Sequence, residues 1–145
     1  MPECVFCKLT SGEIDGRIVF EDEVSVAFLD ARPLFPGHTL LVPRSHIEVL
    51  ADLPGQLLKP FFANLQMLAR AVEAAMNAEG TFVANNNKVS QSVPHLHFHI
   101  VPRKKKDGLK GFFWPRGSYR DEAHQIEVQE AIRHAMEAER RKISL

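Results

Sequence analysis

Residues 94–102 read Pro-His-Leu-His-Phe-His-Ile-Val-Pro, and no other run constrains the fold as tightly. Side chains of an extended strand alternate between its two faces. His95, His97 and His99 then share one face, and Leu96, Phe98 and Ile100 share the other. A helix would scatter the same residues around its circumference. The run therefore predicts a strand over 94–102 with an apolar side for the core. The opposite side carries imidazoles spaced ~7 Å apart, which packing alone does not require. Near neutral pH an imidazole is a nucleophile, a proton carrier and a metal ligand. One use of the row is a shared metal ion, although same-face residues of a straight strand converge poorly on one point. A second is phosphoryl chemistry, in which one histidine attacks phosphorus and its neighbours hold oxygens or move protons. Solvent-facing histidines would be the ordinary reading of one such residue, but three at period two argue against it.

The remaining chain supplies partners for that strand. A helical turn is predicted over 5–11, ended by Gly12, and short strands over 17–20 and 24–29. The acidic Glu21-Asp22-Glu23 turn joins those strands. Residues 30–38 form a loop with Pro33, Pro36 and Gly37, followed by strands over 39–43 and 81–84. Leu57, Phe61, Leu65, Leu68, Val72 and Met76 recur every three or four residues, which predicts a helix over 53–77 with Asp52 as its N-cap. Pro60 is awkward inside it. A second amphipathic helix is expected over 121–141. Short strands, two separated helices and no βαβ repeat point to an α+β domain with a mainly antiparallel sheet.

Composition narrows the function classes. Lys+Arg and Asp+Glu are 18 each among 145 residues, so the chain is neutral and lacks the basic excess of a general polyanion binder. The charge is uneven: net −5 over 1–87, +7 over 88–120 and −2 over 121–145. The basic stretch flanks the histidine run, so part of it is expected to provide a local field for one small phosphate ligand. Two cysteines, Cys4 and Cys7, do not make a disulfide scaffold. The start of the chain has no signal-peptide pattern, and no apolar run reaches the ~18 residues of a membrane span. The expectation is a cytoplasmic protein with no membrane partner.

The histidine run resembles the His-φ-His-φ-His-φ-φ motif of the histidine triad (HIT) superfamily of nucleotide hydrolases and transferases. Cys4-x-x-Cys7, Gly12-Glu13-Ile14, Phe28-Leu29-Asp30, Pro36-Gly37-His38-Thr39-Leu40, Val42-Pro43-Arg44-x-His46 and Gln91-Ser92-Val93 follow the family's order and spacing. The resemblance spans about residues 3–103 and implies a HIT-like fold. That fold is a sheet of about five antiparallel strands with one long central helix and a C-terminal helix. A HIT domain over 1–106 is expected, with 107–145 as a loop and helix packed on the same domain.

The same resemblance implies chemistry. His97, the middle histidine, would attack the α-phosphorus of a purine nucleoside phosphoramidate or related nucleotide, giving a nucleotidyl-histidine that water releases. His99 would contact phosphate oxygens. Gln91 and Ser92 would line the phosphate or leaving-group site, with Ser92 donating a hydrogen bond. Asp30 would accept from the ribose hydroxyls, and His38 would assist at the phosphate. Asn85 and Asn86 are further nucleotide-binding candidates. Alternatives are a dinucleoside polyphosphate hydrolase, and a nucleotide-binding scaffold with little turnover. Zinc-bearing bacterial members use the C-x-x-C pair, a later histidine and the first triad histidine as ligands, which implies a structural zinc on Cys4, Cys7, His46 and His95. The family also implies a homodimer. Ser90 stands where the family pattern has glycine, a departure that bears on the loop before Ser92. Arg103-Lys104-Lys105-Lys106 and Gly111-Phe112-Phe113-Trp114-Pro115-Arg116 interleave basic and aromatic residues, a pattern also met in RNA-binding surfaces.

Overall fold

The first hairpin is closed by Asp22. Its Oδ1 accepts the backbone N–H groups of Val24 at 2.8 Å and Ser25 at 2.9 Å, the Asx geometry that makes aspartate a turn residue. The turn joins β1 (Ile18–Glu21) to β2 (Ser25–Leu29). Asn64 donates to Asp22 Oδ2 and to Ser25 Oγ, both at 2.8 Å. Burial alone would raise the Asp22 carboxyl, but the Ser25 N–H, the Asn64 amide and the Val24 N–H together hold it below its usual value.

The computed structural model describes residues 3–109 and 116–143, in two compact units, Met1–Asp107 and Gly108–Leu145. In the first, α1 (Val5–Thr10) precedes β1 and β2, and β3 (Thr39–Pro43) follows them. A 3-10 turn over Leu50–Asp52 leads into α2 (Gly55–Ala75), then β4 (Gly80–Ala84) and β5 (Phe98–Arg103). The five strands run in the order β1-β2-β3-β5-β4, and every neighbouring pair is antiparallel. This is the α+β architecture expected from the sequence. The second unit contains α3 (Glu122–Ile143), whose first turn is capped by Asp121 Oδ1 accepting from His124 N–H at 2.8 Å.

Two apolar clusters separate the faces of the sheet. Phe61, Leu65, Leu68 and Val72 of α2 pack with Ala27, Leu41, Leu96, Phe98 and Ile100. Phe6 and Leu9 of α1 pack with Val26, Phe28, Leu40 and Val42. Leu96 and Ile100 are fully buried, so the apolar side of the histidine run faces the long helix as the alternation requires.

Two local expectations need correction. Regular strand pairing begins at Phe98, not at 94, because Leu96 N–H donates to the Ile47 carbonyl at 2.6 Å instead of joining a ladder. Asp52 does not cap α2. The cap residue is Pro54, with no side-chain bond, and Asp52 closes the preceding 3-10 turn. Pro60 nevertheless lies within the helix. Arg103 ends β5, four residues beyond His99 or ~13 Å along a strand, and its guanidinium grips Asp107 at 2.6 and 3.0 Å. Residues 110–115, with most of the aromatic segment, lie outside the described residues.

Candidate active site and metal centre

The three histidines divide between two sites. His95 is fully buried beside the cysteines, while His97 and His99 line a cleft of about 800 Å³. Phe6 stands between them, edge-on to His95 at 5.9 Å and to His97 at 5.2 Å between ring centroids.

His97 Nδ1 lies 2.7 Å from the His95 carbonyl. A carbonyl only accepts, so Nδ1 carries the proton and Nε2 keeps its lone pair. That is the nitrogen a nucleophile needs. His99 is fixed by a longer chain of the same logic. Leu34 N–H donates to His38 Nδ1 at 3.0 Å, so neutral His38 carries its proton on Nε2. His38 Nε2 lies 2.9 Å from His99 Nδ1 and donates to it. The His99 proton is thereby placed on Nε2, a donor beside His97, whose ring centroid is 5.1 Å away. Burial, then the neighbouring His97 and His38, push His99 down to about 4. Burial likewise lowers His38, against the opposing pull of Asp30. Both rings are neutral at neutral pH, as the hydrogen-bond chain requires.

Asp30 Oδ2 lies 3.5 Å from His38 Nε2, and Oδ1 accepts Arg32 N–H at 2.9 Å. Donor atoms of Asp30, His38 and His99 lie within 4.8 Å of one another, close enough to suggest an ion. A metal on His38 Nε2 would displace a proton whose ring already accepts at Nδ1, leaving an imidazolate. The donor pattern fits a hydrogen-bonded chain that orients His99 rather than a metal site.

The cleft places Asp30, Ser92, His97 and His99 near a largely apolar wall of Val5, Phe6, Leu9, Ile14, Phe28 and Leu40. Sequence reasoning missed that wall, although Phe6 and Leu9 share one side of the predicted first helix. Other candidates bond to the backbone instead. Asn85 Nδ2 donates to the His97 carbonyl at 2.9 Å, so it supports the strand. Gln91 Nε2 donates to the Glu48 carbonyl at 2.6 Å and its Oε1 accepts Lys88 N–H at 2.8 Å, which pins the loop before Ser92. Gln91, Asn85, Asn86 and His38 are not among the residues lining the cleft. Ser90 occupies the left-handed region at φ 60°, so the loop takes the backbone form that favours glycine.

Cys4, Cys7, His46 and His95 offer four donor atoms, all within 4.8 Å of one another. Cys4 Sγ is 3.4 Å from His95 Nδ1, Cys7 Sγ is 3.2 Å from His46 Nδ1, and Cys7 Sγ is 3.5 Å from His95 Nδ1. Usual Zn–S and Zn–N bond lengths in a tetrahedron give S···N edges of ~3.6 Å. His95 Nε2 donates to the Pro43 carbonyl at 2.8 Å, which leaves Nδ1 bare toward the thiols, the tautomer a metal ligand needs. Burial, followed by the Cys4 hydrogen bond, raises the Cys7 thiol to about 11. A cation between the sulfurs would reverse that shift. The donor set fits a closed zinc site.

A model of the HIT domain family matches residues 11–106. The chain is 40% identical over 113 residues to "Protein hit" of Bacillus subtilis, covering 77% of this chain and 78% of that one. It is 35% identical over 109 residues to an adenosine 5'-monophosphoramidase of Saccharomyces cerevisiae, covering 73% of this chain and 66% of that one. A Zn-bound histidine triad family protein from Mycobacterium smegmatis has a similar structure, with a TM-score of 0.69 and 33% identity over 89% of this chain and 97% of that one.

Proposed function

The chain belongs to the HIT domain family, and from that premise we propose that it hydrolyses purine nucleoside phosphoramidates at the α-phosphate through His97. The observation that carries this reading is the His95 carbonyl at His97 Nδ1, which leaves Nε2 as a lone pair in the cleft. Nε2 attacks phosphorus, a P–N bond forms, and the bond to the leaving amine breaks as that amine takes up a proton. Water then displaces the imidazole and releases the nucleoside monophosphate. The covalent route replaces one displacement by two easier ones.

His99 Nε2–H and Ser92 stabilise charge on the non-bridging oxygens. His38 keeps His99 in the donating tautomer, and Asp30 takes the ribose hydroxyls at the rim. The apolar wall suits the flat face of a purine. Asn85 and Gln91 act as positioning residues. The relative that acts on an adenosine phosphoramidate supports this substrate class.

Cys4, Cys7, His46 and His95 hold a structural zinc in this reading. Bound there, the ion cross-links α1 to the catalytic segment. A cytoplasmic homodimer along α2 and one sheet edge completes it, and no helix among the described residues is long and apolar enough to cross a membrane. Turnover of adenosine 5'-phosphoramidate by the wild type and by His97→Ala tests the proposal. Loss of turnover in the variant is expected, and undiminished turnover would reject the role of His97.

A further inference from the structure

We infer that Glu48 completes the metal centre as the outer partner of His46, a role that rests on the zinc reading above. His46 Nδ1 faces Cys7 Sγ at 3.2 Å. A neutral imidazole offering its lone pair there carries the proton on Nε2. That nitrogen is buried and has no hydrogen-bond partner. Buried N–H groups are rarely left unpaired, and a metal-bound imidazole almost always donates its second N–H to a carboxylate, carbonyl or water.

The two histidines differ in this respect. His95 Nε2 has the Pro43 carbonyl at 2.8 Å, a backbone group that cannot leave. His46 Nε2 has the Glu48 carboxylate at 3.9 Å, roughly 1 Å beyond the usual N–H···O length. The Glu48 side chain is 61% exposed and makes no hydrogen bond among the described residues, so it turns at little cost. Once placed, its charge makes His46 a stronger donor to the metal and fixes the ring.

Glu48 also belongs to the segment that supports the cleft. Its carbonyl accepts from Gln91 Nε2 at 2.6 Å, and the Ile47 carbonyl accepts from Leu96 N–H at 2.6 Å. Both acceptors are backbone carbonyls, so replacing the Glu48 side chain leaves them intact. The side chain then reports on the metal alone.

The test uses full-length wild type, Glu48→Gln and Glu48→Ala, with zinc affinity measured by competition against a chromophoric chelator. The expected loss is about 10–100-fold in Glu48→Ala and an intermediate value in Glu48→Gln. The metal-free forms should melt together. Wild-type affinity in Glu48→Ala would overturn the inference and leave the zinc site standing. A lower melting temperature of metal-free Glu48→Ala would overturn it in favour of a general structural role. Failure of the wild type to take up zinc would overturn both readings.

Discussion

The carbonyl of His95 accepts the Nδ1 proton of His97 at 2.7 Å, so the residue facing the two cysteines sets the tautomer of the residue facing the cleft. His95 is held at its own Nε2 by Pro43. The His97 ring therefore takes its orientation from a buried neighbour that is itself held by the backbone.

His38→Ala removes the donor to His99 Nδ1 and frees His99 to take the wrong tautomer. A fall in kcat of about 10²-fold is expected, the lower end of what a positioned proton carrier supplies. KM should change little, because His38 does not line the cleft. Steady-state kinetics on adenosine 5'-phosphoramidate check this, and an unchanged kcat contradicts the positioning role of His38.

Stability should depend on pH through His38 and His99. Both are held below the ordinary histidine value of 6.5, His99 at about 4. In that interval the unfolded chain binds more protons than the native one, so stability rises with pH. The contribution is fully present above pH 6.5 and is lost as pH falls toward 4. Urea unfolding between pH 7.5 and 4.5 measures the slope. His99→Asn should flatten it, and an unaltered slope in that variant contradicts the assignment.

Cys4→Ser breaks the four-donor set. Metal analysis should find one zinc per wild-type chain and a marked loss in the variant. A stability loss of about 2 kcal/mol lowers the melting temperature by roughly 5–8 °C in a chain of this length. Metal-free wild type with the stability of the purified protein contradicts a structural zinc.

Ser90→Gly relieves a serine held at φ 60°. Left-handed backbone costs an L-residue about 1–2 kcal/mol, partly offset by the greater chain entropy of glycine. A gain of up to ~1 kcal/mol is expected in chemical denaturation, with turnover maintained because the loop keeps its form. A loss of stability contradicts the account of this loop.

Much of the architecture is legible because its signals are local. The period-two run fixes which side of the β5 segment is apolar, and the spacing from Leu57 to Val72 fixes the buried stripe of α2. Proline and glycine mark the loop before β3. The signals fail where tertiary contacts decide. Leu96 pairs with Ile47, far away in sequence, so the extended histidine run becomes a ladder strand only at Phe98. Asp52 has a capping side chain, but it ends a 3-10 turn and Pro54 takes the cap position of α2. The site is legible at the level of which residues bear chemistry. Their hydrogen-bond roles are not, because the groups that fix His38 and His97 are a backbone donor, the Leu34 N–H, and a backbone acceptor, the His95 carbonyl. No residue type announces a backbone N–H or carbonyl in the right place. Gln91 and Asn85 carry the right chemistry for substrate contact, and the fold turns both toward the backbone.

A covalent intermediate on His97 leaves its mark in the stereochemistry at phosphorus. Each in-line displacement inverts the phosphorus centre, so two successive displacements restore it. Hydrolysis of a single diastereomer of adenosine 5'-phosphorothioamidate in ¹⁸O-labelled water should proceed with overall retention. Overall inversion would mean that water attacks the substrate directly, and would contradict the account.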